Sequence, residues 1–473
     1  KGMVFASLTF LGFFLPLTLL VYFLLPRLAW RNAWMVVASL WFYAWGEPVW
    51  VVLLLISASV DYVHALIITR YRSHPLVRLA VVSCLVINLG ILGVFKYSGF
   101  LMQNINLLLG TQLPVPSFAL PLGISFYTFQ TISYVIDVYR GEVPAQRSFW
   151  KFLMYVGMFP QLVAGPIVRY GHVMEAIESR VASLSDISQG ITRFCVGLFK
   201  KVAIANIAGE LVVRYLERDL ATLSTGEAWF GLSMFALQIY FDFSGYSDMA
   251  IGLGRMFGFK FNENFEHPYI ARSATEFWRR WHISLGTFFR DYLYIPLGGK
   301  RRHPFRNLFI VWFLTGLWHG ASWNFIVWGL YFGVLIALER IALKRLFDRL
   351  PAFFGHVYLL FAVLLSWGIF YFVDWGRMVQ FFGVLFGANS GPWITPDLVD
   401  SIRQHAFWLV LALILCTPLI QVLVSKGRDL IGRRWPGIEG GIGLTACLNL
   451  VMLLISVSML VGKTFNPFLY FRF

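Results

Sequence analysis

The feature that most constrains this chain is the recurrence, from one end to the other, of apolar stretches of about 20 residues. A stretch of that length crosses the hydrocarbon core of a bilayer as a helix. The segments lie at roughly 4–25, 32–46, 48–68, 77–96, 119–138, 150–168, 190–213, 228–253, 306–319, 322–341, 354–373, 404–424 and 441–461. Some are short for a core of about 30 Å and read as re-entrant or half-helices. Composition points the same way. Of 473 residues, 58% are hydrophobic and 13% charged, about half the charged fraction of a soluble chain. Mean hydropathy is +0.68. A soluble enzyme, a disordered chain and a nucleic-acid binder are excluded. The expected fold class is all-α: a polytopic transmembrane helical bundle with about 10 to 13 membrane segments. It forms one domain over 1–473, without repeats or low-complexity segments.

Lys and Arg total 39 against 24 Asp and Glu, a net charge of +15. The bases sit in short loops between apolar spans, as the positive-inside rule requires. Arg27 and Arg31 follow the first span, the loop 46–48 carries no base, and Arg70, Arg72 and Arg78 follow the third. Later, Arg340, Lys344, Arg345 and Arg349 form a basic cluster, Asp374, Asp397 and Asp400 surround the next loop, and Lys426, Arg428, Arg433 and Arg434 form another cluster. The alternation places the N-terminus, 375–403 and the C-terminal tail outside, and 425–440 in the cytoplasm. The run 4–25 is too long for a signal-peptide core and reads as an uncleaved span. Lys1-Gly2 before Met3 reads as a cloning remnant. Cys84, Cys195, Cys416 and Cys447 lie in or beside apolar runs without a CxxC pair, so no disulfide framework and no metal site is expected and they read as core residues.

Residues 255–306 depart from this pattern. Arg255, Lys260, Arg272, Arg279, Arg280, Arg290, Lys300, Arg301, Arg302 and Arg306 are interleaved with Phe277, Trp278, Trp281, Phe288, Phe289, Tyr292 and Tyr294. Bases mixed with aromatics suit helices in the cytoplasmic membrane interface, and also an anionic, phosphate-bearing substrate.

Ionisable residues at membrane depth are costly, so each is a site hypothesis. His319 stands in the apolar stretch Leu308 to Leu338, next to Trp318 and shortly before Asn324. Gly316 and Gly320, four apart, would share a helix face and admit a close neighbour or a substrate. Neutral imidazole serves as a general base near cytoplasmic pH; a packing histidine is the plainer alternative. His282 follows Trp281 in the basic-aromatic stretch, where contact with lipid head groups is the plainer reading. No HExxH or HxxxH spacing joins the two histidines. Tyr240, Asp242, Ser244, Ser247 and Asp248 form a polar cluster in an apolar span, with Gly245, Gly252 and Gly254 beside it. Such a cluster lines a cavity or ties helices together. Asp61 reads as structural, and Asp137 with Arg140 as an interfacial pair. No GxSxG, Walker or GxGxxG motif is present, so nucleotide hydrolysis is not expected.

The segments Phe277-Trp278-Arg279-Arg280-Trp281-His282-Ile283-Ser284, Arg290-Asp291-Tyr292-Leu293-Tyr294-Ile295-Pro296-Leu297-Gly298-Gly299 and Gly316-Leu317-Trp318-His319-Gly320 together resemble the membrane-bound O-acyltransferase family. The resemblance is to its bacterial alginate and polysaccharide O-acetylation branch. Tyr240 to Gly254, Pro121 to Tyr127, Ala164-Gly165-Pro166-Ile167 and Pro467 to Phe473 extend it over essentially the whole chain. It implies about eleven membrane-spanning helices of typical bilayer length around a central tunnel, in the inner membrane of a bacterium. It implies that His319 is catalytic and His282 the second polar residue at the site, within a catalytic region 306–341. The donor implied is cytoplasmic acetyl-CoA, with no metal. Its phosphates would suit Arg279, Arg280 and Trp281. Tyr240, Asp242, Ser244, Ser247, Asp248, Asp291, Trp318 and Asn324 are expected to line the tunnel. The implied partners, besides membrane lipid, are periplasmic proteins with a serine-esterase-like (SGNH-type) fold, which pass acetyl to the polysaccharide. The tail 465–473, with five aromatics in nine residues, anchors at the interface or docks such a partner.

Within the family, the alternatives are cellulose or peptidoglycan as acceptor, and D-alanyl transfer from a carrier protein to teichoic acid. Outside it, the alternative is a transporter or scaffold, against which stands the absence of paired broken halves. The charge alternation predicts that a cysteine engineered at 428 is protected from an impermeant thiol reagent on intact cells; labelling from outside would reverse the topology.

Overall fold

The computed structural model describes residues 3–163, 165–389, 391–434, 440–462 and 468–469. Lys1-Gly2, Ala164 of the Ala164-Gly165-Pro166-Ile167 motif and all of the 465–473 tail except 468 and 469 lie outside the described residues. So do the side chains of Lys344, Arg428, Arg433 and Arg434 in the basic clusters. Among the described residues the chain is all-helical, with no strand. Val51–Arg70, Val77–Leu109, Trp323–Leu343, Ala352–Tyr371 and Gly443–Leu460 are long and apolar enough to cross a membrane. Pro396–Gln404 and Ala406–Leu415 together make a sixth, bent by 66°. Length and apolar content thus single out fewer helices than the sequence suggests. The others, such as Leu28–Gly46, Ile124–Arg140 and Thr225–Met256, carry polar residues that they bury against neighbours rather than an all-round apolar surface. Val77–Leu109 shows the opposite pattern, exposing Leu79, Val82, Val86 and Leu89.

The centre of the fold is Thr225–Met256, almost wholly buried. A capping box starts it: Glu227 N donates to Ser224 Oγ at 3.2 Å, and Ser224 N donates to Glu227 Oε2 at 2.9 Å. Against it runs Leu184–Phe199, which continues through the π-helical turn Lys200–Ala205 into Asn206–Leu216. The two helices touch backbone to backbone. A Cβ on Gly245 would lie 2.7 Å from the Gly197 carbonyl oxygen, and one on Gly197 would lie 2.5 Å from the Gly245 oxygen. Gly190 and Gly252 repeat the contact two turns away. The glycines of the Tyr240–Gly254 motif therefore serve close packing.

Pro304–His319 and Trp323–Leu338 form a tight helical hairpin. A Cβ on Gly316 would sit 2.3 Å from the Phe325 carbonyl oxygen. Gly320 does not share that helix face, as the spacing suggests. The helix ends at His319, and Gly320 is extended with φ −169°. The 255–306 stretch is not one interfacial helix. It folds as short pieces, Pro268–Ile270, Ala274–Arg280, Ile283–Phe289 and the π-helical turn Arg290–Tyr294.

Three further expectations resolve here. Asp61 is structural: it accepts from Asn88 Nδ2 at 2.6 Å and Cys84 Sγ at 3.0 Å, joining two spanning helices. Asp137 does not pair with Arg140. It accepts from Tyr292 Oη at 2.7 Å, and Arg140 reaches Glu142 and the Asp291 carbonyl instead. Cys84, Cys195 and Cys416 are buried, whereas Cys447 is exposed on an apolar helix, so it is not a core residue.

The packed interior falls into two apolar clusters. One gathers the N-terminal helices with Phe243, Phe288 and Trp318. The other gathers Tyr240, Trp281, Phe325, Trp328, Trp367 and Phe370. Gly245→Leu is expected to lower folding stability by about 3 kcal/mol or more, because the crossing must open. Gly90→Leu, where nothing lies within 4 Å, is expected to be close to neutral. Thermal unfolding in detergent followed by tryptophan fluorescence checks both.

Candidate active site

His319 stands on the seam between the two clusters. It is the last residue of its helix and 3% exposed. Aromatic rings meet it edge-on, among them Trp328 at 4.8 Å, Trp318 at 5.0 Å and Phe370 at 5.6 Å between centroids. Trp318 belongs to the first cluster, Trp328 and Phe370 to the second. The indole N–H of Trp328 is buried and has no hydrogen-bond partner among the described residues. His319 thus combines a basic nitrogen with walls that exclude water.

His282 also contacts Trp318, 5.8 Å between ring centroids, and is fully buried. It is not an interfacial histidine. It occupies the left-handed region, with φ 45° and ψ 52°, as the residue before Ile283–Phe289. A non-glycine residue there is strained by about 1–3 kcal/mol, and the turn it makes joins Ala274–Arg280 to Ile283–Phe289. His267 and His303 precede helices in the same conformation, so the strain alone is not a mark of the site. The hydrogen bonds are. Asn264 Oδ1 accepts from the backbone N–H of Ser284 at 3.2 Å and from Ser284 Oγ at 2.9 Å. The same oxygen lies 3.2 Å from His282 Nδ1. Because a backbone N–H can only donate, Oδ1 is the acceptor and Nδ1 carries the proton. Nε2 of neutral His282 is then a lone pair. It is buried and has no hydrogen-bond partner among the described residues. Asn264 Nδ2 donates to Ser247 Oγ at 3.1 Å, which ties this network to the central helix.

The remaining residues singled out from the sequence separate into groups. Trp318 contacts both imidazoles. Ser247 holds Asn264, as above, and Ser244 is buried nearby on the same helix. Tyr240 and Trp281 pack into the second cluster, with Trp281 between Phe277 and Trp367. Asp242 forms a buried ion pair with Lys201 and accepts the Leu469 N–H at 2.6 Å. Asp248 is braced by Arg193 at 2.7 Å and Lys200 at 2.6 Å, across the glycine crossing. Asn324 Nδ2 donates to the carbonyls of Ile369 and Phe370 at 3.3 and 3.2 Å. Arg280 is engaged by Glu276 and the Glu266 carbonyl.

Two clefts are lined by chain neighbours of these residues. One, of about 240 Å³, includes Ser284, Arg169, His172, Asn262, Arg290 and Asp291. Arg279 and Arg280 are not among its lining residues. Asp291 takes Arg169 at 2.7 Å and Arg290 at 2.6 Å. Burial opposes the charge of Asp291, but the two guanidiniums outweigh it and hold the carboxyl below its ordinary range. The second, of about 460 Å³, is lined by Tyr371, Phe372, Asp374, Arg377 and Leu469. It adjoins Phe370, which touches the His319 ring.

Sequence reasoning did not single out Asn264, Ser284, Arg169, Trp328 or Phe370 as site residues. No local signal distinguishes them, since folding alone brings them to the histidines. Among the described residues no group of three or more His, Cys, Asp or Glu could hold a metal ion.

The described residues form a wholly helical, membrane-capable fold, and comparison with known proteins supplies its class. Residues 142–374 match the membrane-bound O-acyltransferase family. The protein named "Probable alginate O-acetylase AlgI" of Pseudomonas putida is 39% identical over 499 residues, covering all of both chains. Its namesake from Azotobacter vinelandii is 38% identical over 509 residues, again covering both chains completely. The peptidoglycan O-acetyltransferase of Helicobacter pylori is 36% identical over 372 residues, 72% of this chain and 70% of that one. The chain belongs to the membrane-bound O-acyltransferase family. It is a membrane-embedded, multi-pass O-acyltransferase.

Asn264→Ala releases His282 from its tautomer and orientation. It is expected to lower acyl-transfer kcat on the order of 10²-fold and, because the buried Ser284 N–H loses its acceptor, to lower the melting temperature as well, read by steady-state kinetics below the transition beside a melting curve.

Proposed function

We propose that this chain takes an acetyl group from acetyl-CoA on the cytoplasmic face of a bacterial inner membrane and sends it outward. Periplasmic partners with a serine-esterase-like fold receive it, and the final acceptors are hydroxyls of a secreted polysaccharide, alginate first. The observation that carries this reading is the pair of buried imidazoles that both contact Trp318, with an arginine-bearing cleft lined by Ile283 and Ser284 and a second cleft lined by Tyr371 and Phe372. End-to-end likeness to the P. putida protein supports alginate. Likeness to the H. pylori protein makes peptidoglycan the second acceptor to test.

The donor's charged end suits the first cleft. Asp291 occupies only part of the hydrogen-bonding capacity of Arg169 and Arg290, and the rest is available to phosphate oxygens. The donor face is the cytoplasmic one in the topology read from the loop charges, with both chain termini on the periplasmic side. The pantetheine arm, roughly 15–20 Å extended, would thread from there past His282 toward His319. Between the clefts it would follow the tunnel expected from the family. His282 Nε2, as a lone pair, accepts a hydrogen bond from the donor rather than giving one to an oxyanion. The indole N–H of Trp328 is a donor beside His319 suited to the developing negative charge. His319 removes the proton from an acceptor hydroxyl, and the hydroxyl oxygen bonds to the acetyl carbonyl carbon. The carbon–sulfur bond then breaks, and the coenzyme A thiolate leaves with the proton returned by the imidazolium.

The test is release of coenzyme A from acetyl-CoA by the chain in liposomes, with its operon's periplasmic proteins supplied. His319→Ala is expected to reduce release at least about 10³-fold. The double change Arg169→Ala with Arg290→Ala is expected to raise KM for acetyl-CoA but not for acetyl-phosphopantetheine, which lacks the nucleotide. Equal release from wild type and His319→Ala would remove His319 from the chemistry. Activity only with a carrier-protein thioester would replace the donor.

A further inference from the structure

Lys96 is the only charged residue between Arg78 and Asp137. It stands within Val77–Leu109, a helix long and apolar enough to span a membrane. A lysine at such depth is retained only where it has a partner or a task. Its partners are specific. Nζ donates to the carbonyl of Trp318 at 2.5 Å and to that of His319 at 3.4 Å. The neighbouring Tyr97 donates its hydroxyl to the carbonyl of Leu317 at 2.7 Å. Two adjacent residues of one helix thus serve three consecutive carbonyls at the end of another. Those carbonyls belong to the last turn of Pro304–His319, where no intrahelical N–H remains to pair with them. The ammonium also faces the negative end of that helix and lies 5.8 Å from the centre of the Trp318 ring.

The geometry points to Lys96 as a positioning residue of the acyl-transfer centre. By gripping the carbonyls of Trp318 and His319 it fixes the turn that aims the His319 imidazole and the indole that contacts both histidines. This inference rests on the reading that His319 carries the proton transfer. Tyr97 supports the same turn one residue earlier. Methionine at 96 would fill the same space but leave two carbonyls without a donor, while arginine would restore a donor.

The test measures coenzyme A release from acetyl-CoA by Lys96→Met, Lys96→Arg and Tyr97→Phe in liposomes, each also combined with His319→Ala. Amide hydrogen exchange is followed at 317–320. Lys96→Met is expected to lower kcat about 10- to 100-fold with KM for acetyl-CoA within about threefold. Lys96→Arg recovers most of that loss. In the His319→Ala background, Lys96→Met is expected to change nothing further, because it acts through the imidazole. A merely structural lysine would lower residual activity in both backgrounds. Exchange at 317–320 is expected to quicken about tenfold in Lys96→Met, a readout that needs no donor. Wild-type kcat with wild-type protection in Lys96→Met would overturn the positioning role. If that variant does not fold, wild-type kcat and protection in Tyr97→Phe overturn it instead. Equal activity of wild type and His319→Ala would mark failure of the catalytic reading, whatever the exchange at 317–320 shows.

Discussion

Away from water, a helix end is the most demanding feature of a fold. Each backbone group left unpaired in an apolar medium costs on the order of several kcal/mol. This chain nevertheless interrupts its helices repeatedly in the interior, and side chains from elsewhere complete the ends. Glu339 accepts the N–H groups of Ala274 and Thr275 at 2.5 and 3.0 Å, at the start of the helix that leads to His282. Asn307 Nδ2 donates to the carbonyls of Leu297, Gly299 and Arg302 in the turn before the His319 helix. Arg377 closes the carbonyls of Leu216 and Arg218. Lys96, Tyr97 and Asn324 do the same around the histidine itself.

These completed ends are what allow two imidazoles into a dry interior. A continuous helix would carry His319 on a face and pack it. A helix that stops at His319 presents the ring at its tip, among Trp318, Trp328 and Phe370. A left-handed turn at His282 brings the second ring against Trp318 and Phe243. The two apolar clusters meet there, and the central helix supplies Ser247 to hold Asn264. Rigidity comes from the glycine crossing of that helix with Leu184–Phe199. Asp248, Arg193 and Lys200 lock it where the Cβ-free surfaces touch.

Several residues named from the sequence have roles that only neighbours define. Asp248 looks like a cavity residue because an acid in an apolar span is costly, yet two cations from another helix neutralise it. Trp281 looks like a surface aromatic among arginines, but it is 2% exposed and packs against Trp367. Asp137 and Arg140 have ion-pair spacing on a helix, but Tyr292 from a distant segment takes the aspartate. In each case the deciding partner lies far along the chain, where pattern and spacing carry no information.

The apolar periodicity by itself determined that the chain is a helical membrane protein, since no soluble core could use so many spans of that length. Motif residues around His282 and His319 determined the family, because such long segments of mixed aromatics, bases and histidines do not arise from packing needs. Tertiary structure alone decided which groups surround those histidines. Asn264, Trp328, Phe370 and Lys96 reach them from separate segments of the chain, and the hydrogen bonds that set the His282 tautomer and close the His319 helix exist only when those segments meet. Satisfying a buried polar group is a matter of a few ångströms in space, and spacing along the chain does not record it.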